Sequence, residues 1–201
     1  MFRNLLRPDS PLMVTMTQIT DCIFLSLFWI LGCFPVVTAG ASFAALYDSV
    51  YHGFRAGDRH PWQRFGHSFK ANWKAGLLPT GVVLILAYFL ARGLIGAWNG
   101  AVYGTISWGL FAAAAFLGMT ALGVLSVVFP VLSRFENSTL GLLKNALLLA
   151  LANLPRTIAL GILNGAAIFL CLRYVYPLFF LPALAALIST WLVEPMFKPY
   201  L

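Results

Sequence analysis

Charge is what this chain has least of. Only 9% of its 201 residues are Asp, Glu, Lys or Arg, against about 25% in soluble domains. That excludes an ordinary soluble fold, because a chain that is 61% hydrophobic has too few polar groups to cover its surface. Acids are scarcer than bases, 6 against 13, for a net charge of +7. Cysteine is limited to Cys22, Cys33 and Cys171, all inside apolar runs. Cys22 and Cys33 stand about 16 Å apart along a helix, beyond disulfide reach. The histidines, His52, His60 and His67, match no zinc or iron spacing. There is no glycine-rich phosphate loop, no paired His–Glu motif and no nucleophile elbow. Ser42 in Gly40-Ala41-Ser42 is not an elbow, since no strand precedes it. The expectation is a protein with no catalytic residue, no metal and no cofactor.

What the chain has in quantity is apolar sequence. About 20 residues cross the hydrocarbon core of a bilayer, and runs of that order occupy 18–37, 76–94, 106–129, 159–175 and 178–196. No remaining segment is long enough for a soluble domain with its own core. The reading is all-α: one polytopic membrane bundle over 1–201, with about five transmembrane helices and amphipathic helices near 41–55, 61–73 and 138–152. The first run is not read as a signal peptide. It starts late, carries Asp21 and leads into an ordered motif; cleavage after Ala39 or Ala41 is the alternative.

Basic residues fix the expected orientation. Arg55, Arg59, Arg64, Lys70 and Lys74 lie between the first and second runs, and Arg134, Lys144 and Arg156 between the third and fourth. The other two connections carry Arg92 and Arg173. The positive-inside rule puts the two basic segments in the cytoplasm, so five spans leave the N-terminus outside and Lys198 inside. Arg3 and Arg7 pull the other way. The excess positive charge therefore points to a membrane surface, not nucleic acid.

The window from Phe34 to Lys74 holds most of the distinctive polar sequence. Phe43, Leu46, Tyr47, Val50, Tyr51 and Phe54 recur at helical spacing, a stripe suited to packing on the protein's own spans. Gly57 and Asp58 interrupt it, and Pro61 suits the first turn of a new helix. Trp62, Phe65, Phe69 and Trp73 form a second stripe, flanked by Arg64, His67, Lys70 and Lys74. Tryptophan and basic residues suit the headgroup zone, so Trp62, Arg64, Phe65 and Trp73 are read as membrane-interface residues.

A weak internal repeat is visible. Phe34-Pro35-Val36-Val37-Thr38 and Phe129-Pro130-Val131-Leu132-Ser133 each close a span and precede an amphipathic helix. Chance recurrence competes with this reading. Gly161-x-x-x-Gly165, Ala114-x-x-x-Gly118 and Gly96-x-x-x-Gly100-x-x-x-Gly104 allow close helix approach; packing within one chain is the ordinary meaning and homodimerisation the sharper one.

Four polar residues are candidates for function. Asp21 is ionisable within a span, although near its end. Asn164, between Gly161 and Gly165, could line a cavity or bond a neighbouring helix, the commoner use. Asp48 and His52, at i, i+4, could bond or shuttle a proton, against the plainer reading of a solvated polar face. Pro35, Thr38 and Gly40 mark a break at the end of the first run, where Thr38 can satisfy a freed backbone group.

The segment Leu-Ser-Leu-Phe-Trp-Ile-Leu-Gly-Cys-Phe-Pro-Val-Val-Thr-Ala-Gly-Ala-Ser-Phe-Ala-Ala-Leu-Tyr, from Leu25 to Tyr47, resembles the YesL family of bacterial membrane proteins. So does Phe65-x-x-x-Phe69-Lys70-x-Asn72-Trp73-Lys74. Ser26 departs from the asparagine expected there. The resemblance implies a multi-pass protein of the bacterial plasma membrane associated with carbohydrate uptake. It supplies no catalytic residues; the partners expected on this reading are the lipid bilayer and an ABC sugar-importer permease or membrane sensor. Two functions remain open: an accessory or regulatory protein, and a small stand-alone transporter or channel whose polar cavity would reach Asp21 or Asn164.

Overall fold

In the computed structural model, residues 11–58, 60–134 and 139–197 are described. They form seven α-helices: α1 (Pro11–Cys33), α2 (Ala39–Val50), α3 (Pro61–Val102), α4 (Trp108–Arg134), α5 (Thr139–Ala152), α6 (Leu154–Arg173) and α7 (Leu181–Phe197). Short 3-10 turns cover Val36–Thr38 and Tyr176–Phe179, and a π-helical turn, Tyr51–Arg55, extends α2. No strand occurs among the described residues.

Four helices, α1, α3, α4 and α6, are long and apolar enough to cross a membrane. The fifth expected span is shorter. Its first residues go into the 3-10 turn, so α7 begins at Leu181 and has 17 residues, or about 25 Å of helix against a hydrocarbon core of about 30 Å.

The break after α1 follows from Pro35, which cannot continue the backbone ladder. The Thr38 hydroxyl donates to the carbonyls of Gly32 (2.7 Å) and Pro35 (2.8 Å). At the second Phe-Pro motif Ser133 repeats part of this pattern, donating to Pro130 O at 2.8 Å. There the helix runs on through Pro130 to Arg134, and Phe129 is buried whereas Phe34 is 89% exposed. The two motifs share a hydroxyl-to-carbonyl contact, not an environment.

The centre of the molecule is α2. Its Ala-Gly-Ala-Ser-Phe-Ala-Ala sequence presents little side-chain bulk, so neighbours approach closely, and ten of its 12 residues are buried. It packs on α3, α4, α1 and α7. A side chain at Gly40 would meet Thr80 and the ring of Phe129. One core cluster joins Ala44 and Tyr47 to the end of α4, α5, Leu160 and Val193. The other joins Ala45, Leu46 and Val50 to Cys22, Leu25, Phe65 and Ala183.

The expected interfacial helix at 61–73 and span at 76–94 are one uninterrupted helix of 42 residues. Nothing between Pro61 and Val102 stops it; Thr80 donates to Gly76 O beside the donor-less Pro79, and Arg92 sits within the helix. At 1.5 Å per residue α3 measures about 63 Å, roughly twice the hydrocarbon thickness. Its first part packs on α1 and α2 through Phe65, Ser68, Gly76 and Thr80. From 81 to 100 no residue is buried, and Ile85, Phe89 and Ile95 lie bare, as lipid contact requires. At the far turn Trp98, Trp108 and Phe111 meet edge to face. Gly104 adopts φ +73 there, a conformation glycine reaches without strain.

Three glycines of α4 and α6 also act within the chain, whereas Gly96 faces open space. A Cβ at Gly123 or Gly161 would strike the carbonyl of Thr157 or Met119, and one at Gly118 would meet Leu94. Helices α4 and α6 are thus in backbone contact.

Candidate functional site

Two polar clusters flank the C-terminal half of α2. Residues 47, 51 and 55 follow one another along α2 and its π turn toward α4 and α7, whereas 48 and 52 face α3. The π turn that joins them is a form found often at functional sites.

In the first cluster the Asp48 carboxylate is buried. Its Oδ2 accepts from Arg64 Nε at 2.9 Å, and its Oδ1 lies 3.0 Å from His52 Nδ1. Nδ1 is also 2.9 Å from the Asp48 carbonyl oxygen. Arg64 Nη2 lies 3.2 Å from His52 Nε2. Arginine only donates, so the network assigns the ring hydrogen to Nδ1 and leaves Nε2 as acceptor. The cluster ties α2 and the π turn to the first turn of α3. At the same joint Gly53 faces Pro61, and Asp58 Oδ1 accepts from His60 N at 3.1 Å.

The second cluster is centred on Glu194, in the last turn of α7. Its Oε1 accepts from Arg134 Nη2 at 2.8 Å and from the Tyr47 hydroxyl at 3.1 Å. Burial pushes the Tyr47 phenol well above its ordinary range, and the adjacent Glu194 carboxylate adds to the effect. The Arg134 guanidinium sits 4.0 Å from the Tyr51 ring centre. Arg55 lies 5.8 Å from Tyr51 and 4.8 Å from Trp191, and its Nη1 donates to Thr190 O at 3.1 Å. Arg134 Nε has no hydrogen-bond partner among the described residues. Helices α2, α4 and α7 therefore meet on one carboxylate, whose desolvation the paired cation and the hydroxyl offset.

The solvated-face reading of Asp48 and His52 gives way to a buried carboxylate paired with the partly exposed Arg64, because α3 covers that side of α2. Asn164 takes the helix-bonding role: its Nδ2 donates to Ser126 Oγ at 3.0 Å, joining α6 to α4. Asp21 lies half-buried on α1 and in no ion pair among the described residues. The expected interface stripe divides. Phe65 is buried and stacks on Phe28 and Phe69, and Arg64 serves Asp48. Both turn inward because α1 and α2 pack on that face. Trp62 and Trp73 remain exposed, with His67, Lys70 and Lys74. Lys74 Nζ lies 5.6 Å from the Trp73 ring, and Asn72 turns back to the carbonyl of Ser68 at 2.9 Å.

Glu194 is the residue the sequence reading passes over. The rule that singles out Asp21, an ionisable group inside an apolar run, applies equally to Glu194. Its partners lie 60 and 147 residues away, so no local spacing reveals them.

These features define an all-α helical bundle with four helices of membrane-spanning length and composition. Residues 22–94 match a family described as a protein of unknown function, DUF624. That segment carries Tyr47, Asp48, Tyr51, His52, Arg55 and Arg64; Arg134 and Glu194 lie beyond it. No curated protein and no solved structure matches the chain.

Proposed function

We propose that this is a non-enzymatic accessory or regulatory protein of the bacterial plasma membrane, associated with carbohydrate uptake, as its resemblance to the YesL family implies. It contacts an importer permease or a membrane sensor through the first half of α3. The observation that carries this reading is the division of labour along that helix. Phe65, Ser68 and Arg64 bind it to the bundle, whereas Trp62, His67, Lys70, Trp73 and Lys74 are exposed and covered by no element among the described residues. Exposed tryptophans beside cations suit either a headgroup layer or a partner's acidic face. Favouring this over a stand-alone transporter, Asn164, one of the two residues whose cavity that reading needs, is engaged by Ser126.

The test is crosslinking in native membranes followed by affinity purification of the tagged chain. A permease or sensor subunit should copurify from wild type and be lost from Trp62→Ala/Lys70→Glu. Recovery of the chain alone from crosslinked membranes would count decisively against the proposal.

A further inference from the structure

Beside the second cluster, α1 and α7 leave a part-open groove of about 350 Å³, within the size range of small-molecule sites. Its walls are Ile19, Cys22 and Ile23 on one side and Phe180, Leu184 and Leu187 on the other. Phe54 of the π turn contributes as well, and Thr15 and Gln18 are its polar members. Charge lies next to two of the lining residues, Phe54 and Leu187. Arg55 follows Phe54 directly, and its guanidinium contacts Thr190 and Trp191, one helical turn beyond Leu187. Arg55 is exposed and forms no ion pair among the described residues, since Glu194 is taken by Arg134. Trp191 beside it is 66% exposed.

We propose that this groove holds one acyl chain of an anionic phospholipid, with the lipid phosphate on Arg55. Three physical points converge on that occupant. The lining is hydrocarbon, matching a chain and not a sugar. The guanidinium at its margin is a planar donor set suited to phosphate, and Tyr51, Trp191 and Thr190 O hold it in place. Exposed tryptophan with arginine is the composition of the headgroup level, where a lipid's polar and apolar parts meet. A helix from another protein would fill the apolar groove but would leave Arg55 without an anion.

Native mass spectrometry of the detergent-purified chain tests this with phosphatidylglycerol, phosphatidylcholine and inorganic phosphate as probes. Phosphatidylglycerol adducts should exceed phosphatidylcholine adducts at least tenfold. They should fall at least tenfold in Arg55→Gln and in the groove-filling Leu184→Trp, while Arg55→Lys stays within about threefold of wild type. A photoactivatable acyl chain on phosphatidylglycerol, used with the unaltered protein, should label residues within 15–23 and 180–187. Equal binding of both lipids, adducts indifferent to Arg55→Gln, binding of inorganic phosphate alone, or labelling elsewhere would each overturn the assignment. So would a groove occupied by a second copy or another protein.

Discussion

Arg134 Nη2 lies 2.8 Å from Glu194 Oε1, and this contact joins the end of α4 to the end of α7. Both side chains are largely withdrawn from water. Removing one member leaves a buried charge without its counterion, at a cost of about 3–5 kcal/mol. Glu194→Leu should therefore lower unfolding resistance in detergent markedly. Replacing both, as Arg134→Met/Glu194→Leu, should restore most of it, since an apolar pair of similar volume avoids the desolvation cost. If the double variant is as unstable as the single one, the pair contributes something other than charge balance.

Tyr47 makes the same cluster sensitive to alkali. Its folded-state pKa lies above the ordinary tyrosine value, so the folded protein holds the phenol proton more tightly than the unfolded chain. The resulting stability is complete below about pH 10 and declines as pH rises beyond it. Tyr47→Phe should flatten that decline. The check is the unfolding midpoint of wild type and variant across pH 8 to 11; parallel curves would contradict the expectation.

Close helix contact predicts an asymmetry between neighbouring glycines. A methyl group at Gly161 would strike the main-chain carbonyl of Met119, whereas at Gly165 it would meet the flexible Met119 thioether at 3.0 Å. Gly161→Ala should destabilise by about 1–3 kcal/mol, the cost of overpacking, and Gly165→Ala by clearly less. Equal losses would mean that α4 and α6 separate more readily than their backbones indicate.

The Asp48–Arg64 contact should show energetic coupling. A double-mutant cycle with Asp48→Asn and Arg64→Gln should return an interaction of about 0.5–3 kcal/mol, in the lower half of that interval because Arg64 is partly solvated. Asp48→Asn should also speed amide exchange in 51–58, which the pair holds to α3. Additive effects with unchanged exchange would reduce the contact to proximity.

The length of α3 sets its accessibility. Cysteine at Lys70 should react with a membrane-impermeant maleimide from the basic side of the bilayer, and cysteine at Phe89 should not. Reaction at both positions would place the second half of the helix in water.

The helical class and the position of α2 were legible because they rest on local properties. Apolar runs give the long helices, and the helical spacing of Phe43, Leu46, Tyr47, Val50, Tyr51 and Phe54 gives a helix that packs on its neighbours. The joint between 61–73 and 76–94 was not legible. The change from basic to apolar sequence after Lys74 marks a change of surroundings, and a helix passes through such a change without breaking. Asp48 with His52 was visible as a pair, but its burial depends on Arg64 and α3. Glu194 was hidden because neither Arg134 nor Tyr47 is near it in sequence, and periodicity carries no information about such contacts.

The continuity of α3 has a mechanical consequence. Helix tilt responds to bilayer thickness. A rod that turns by about 10° around the bilayer centre displaces a point about 30 Å along its axis by about 5 Å. Trp62 and Lys70 ride on the end of such a lever arm, and Asp48, through Arg64, carries α2 with it. A change in the tilt of α3 would therefore move the basic face and the helix at the centre of the fold together.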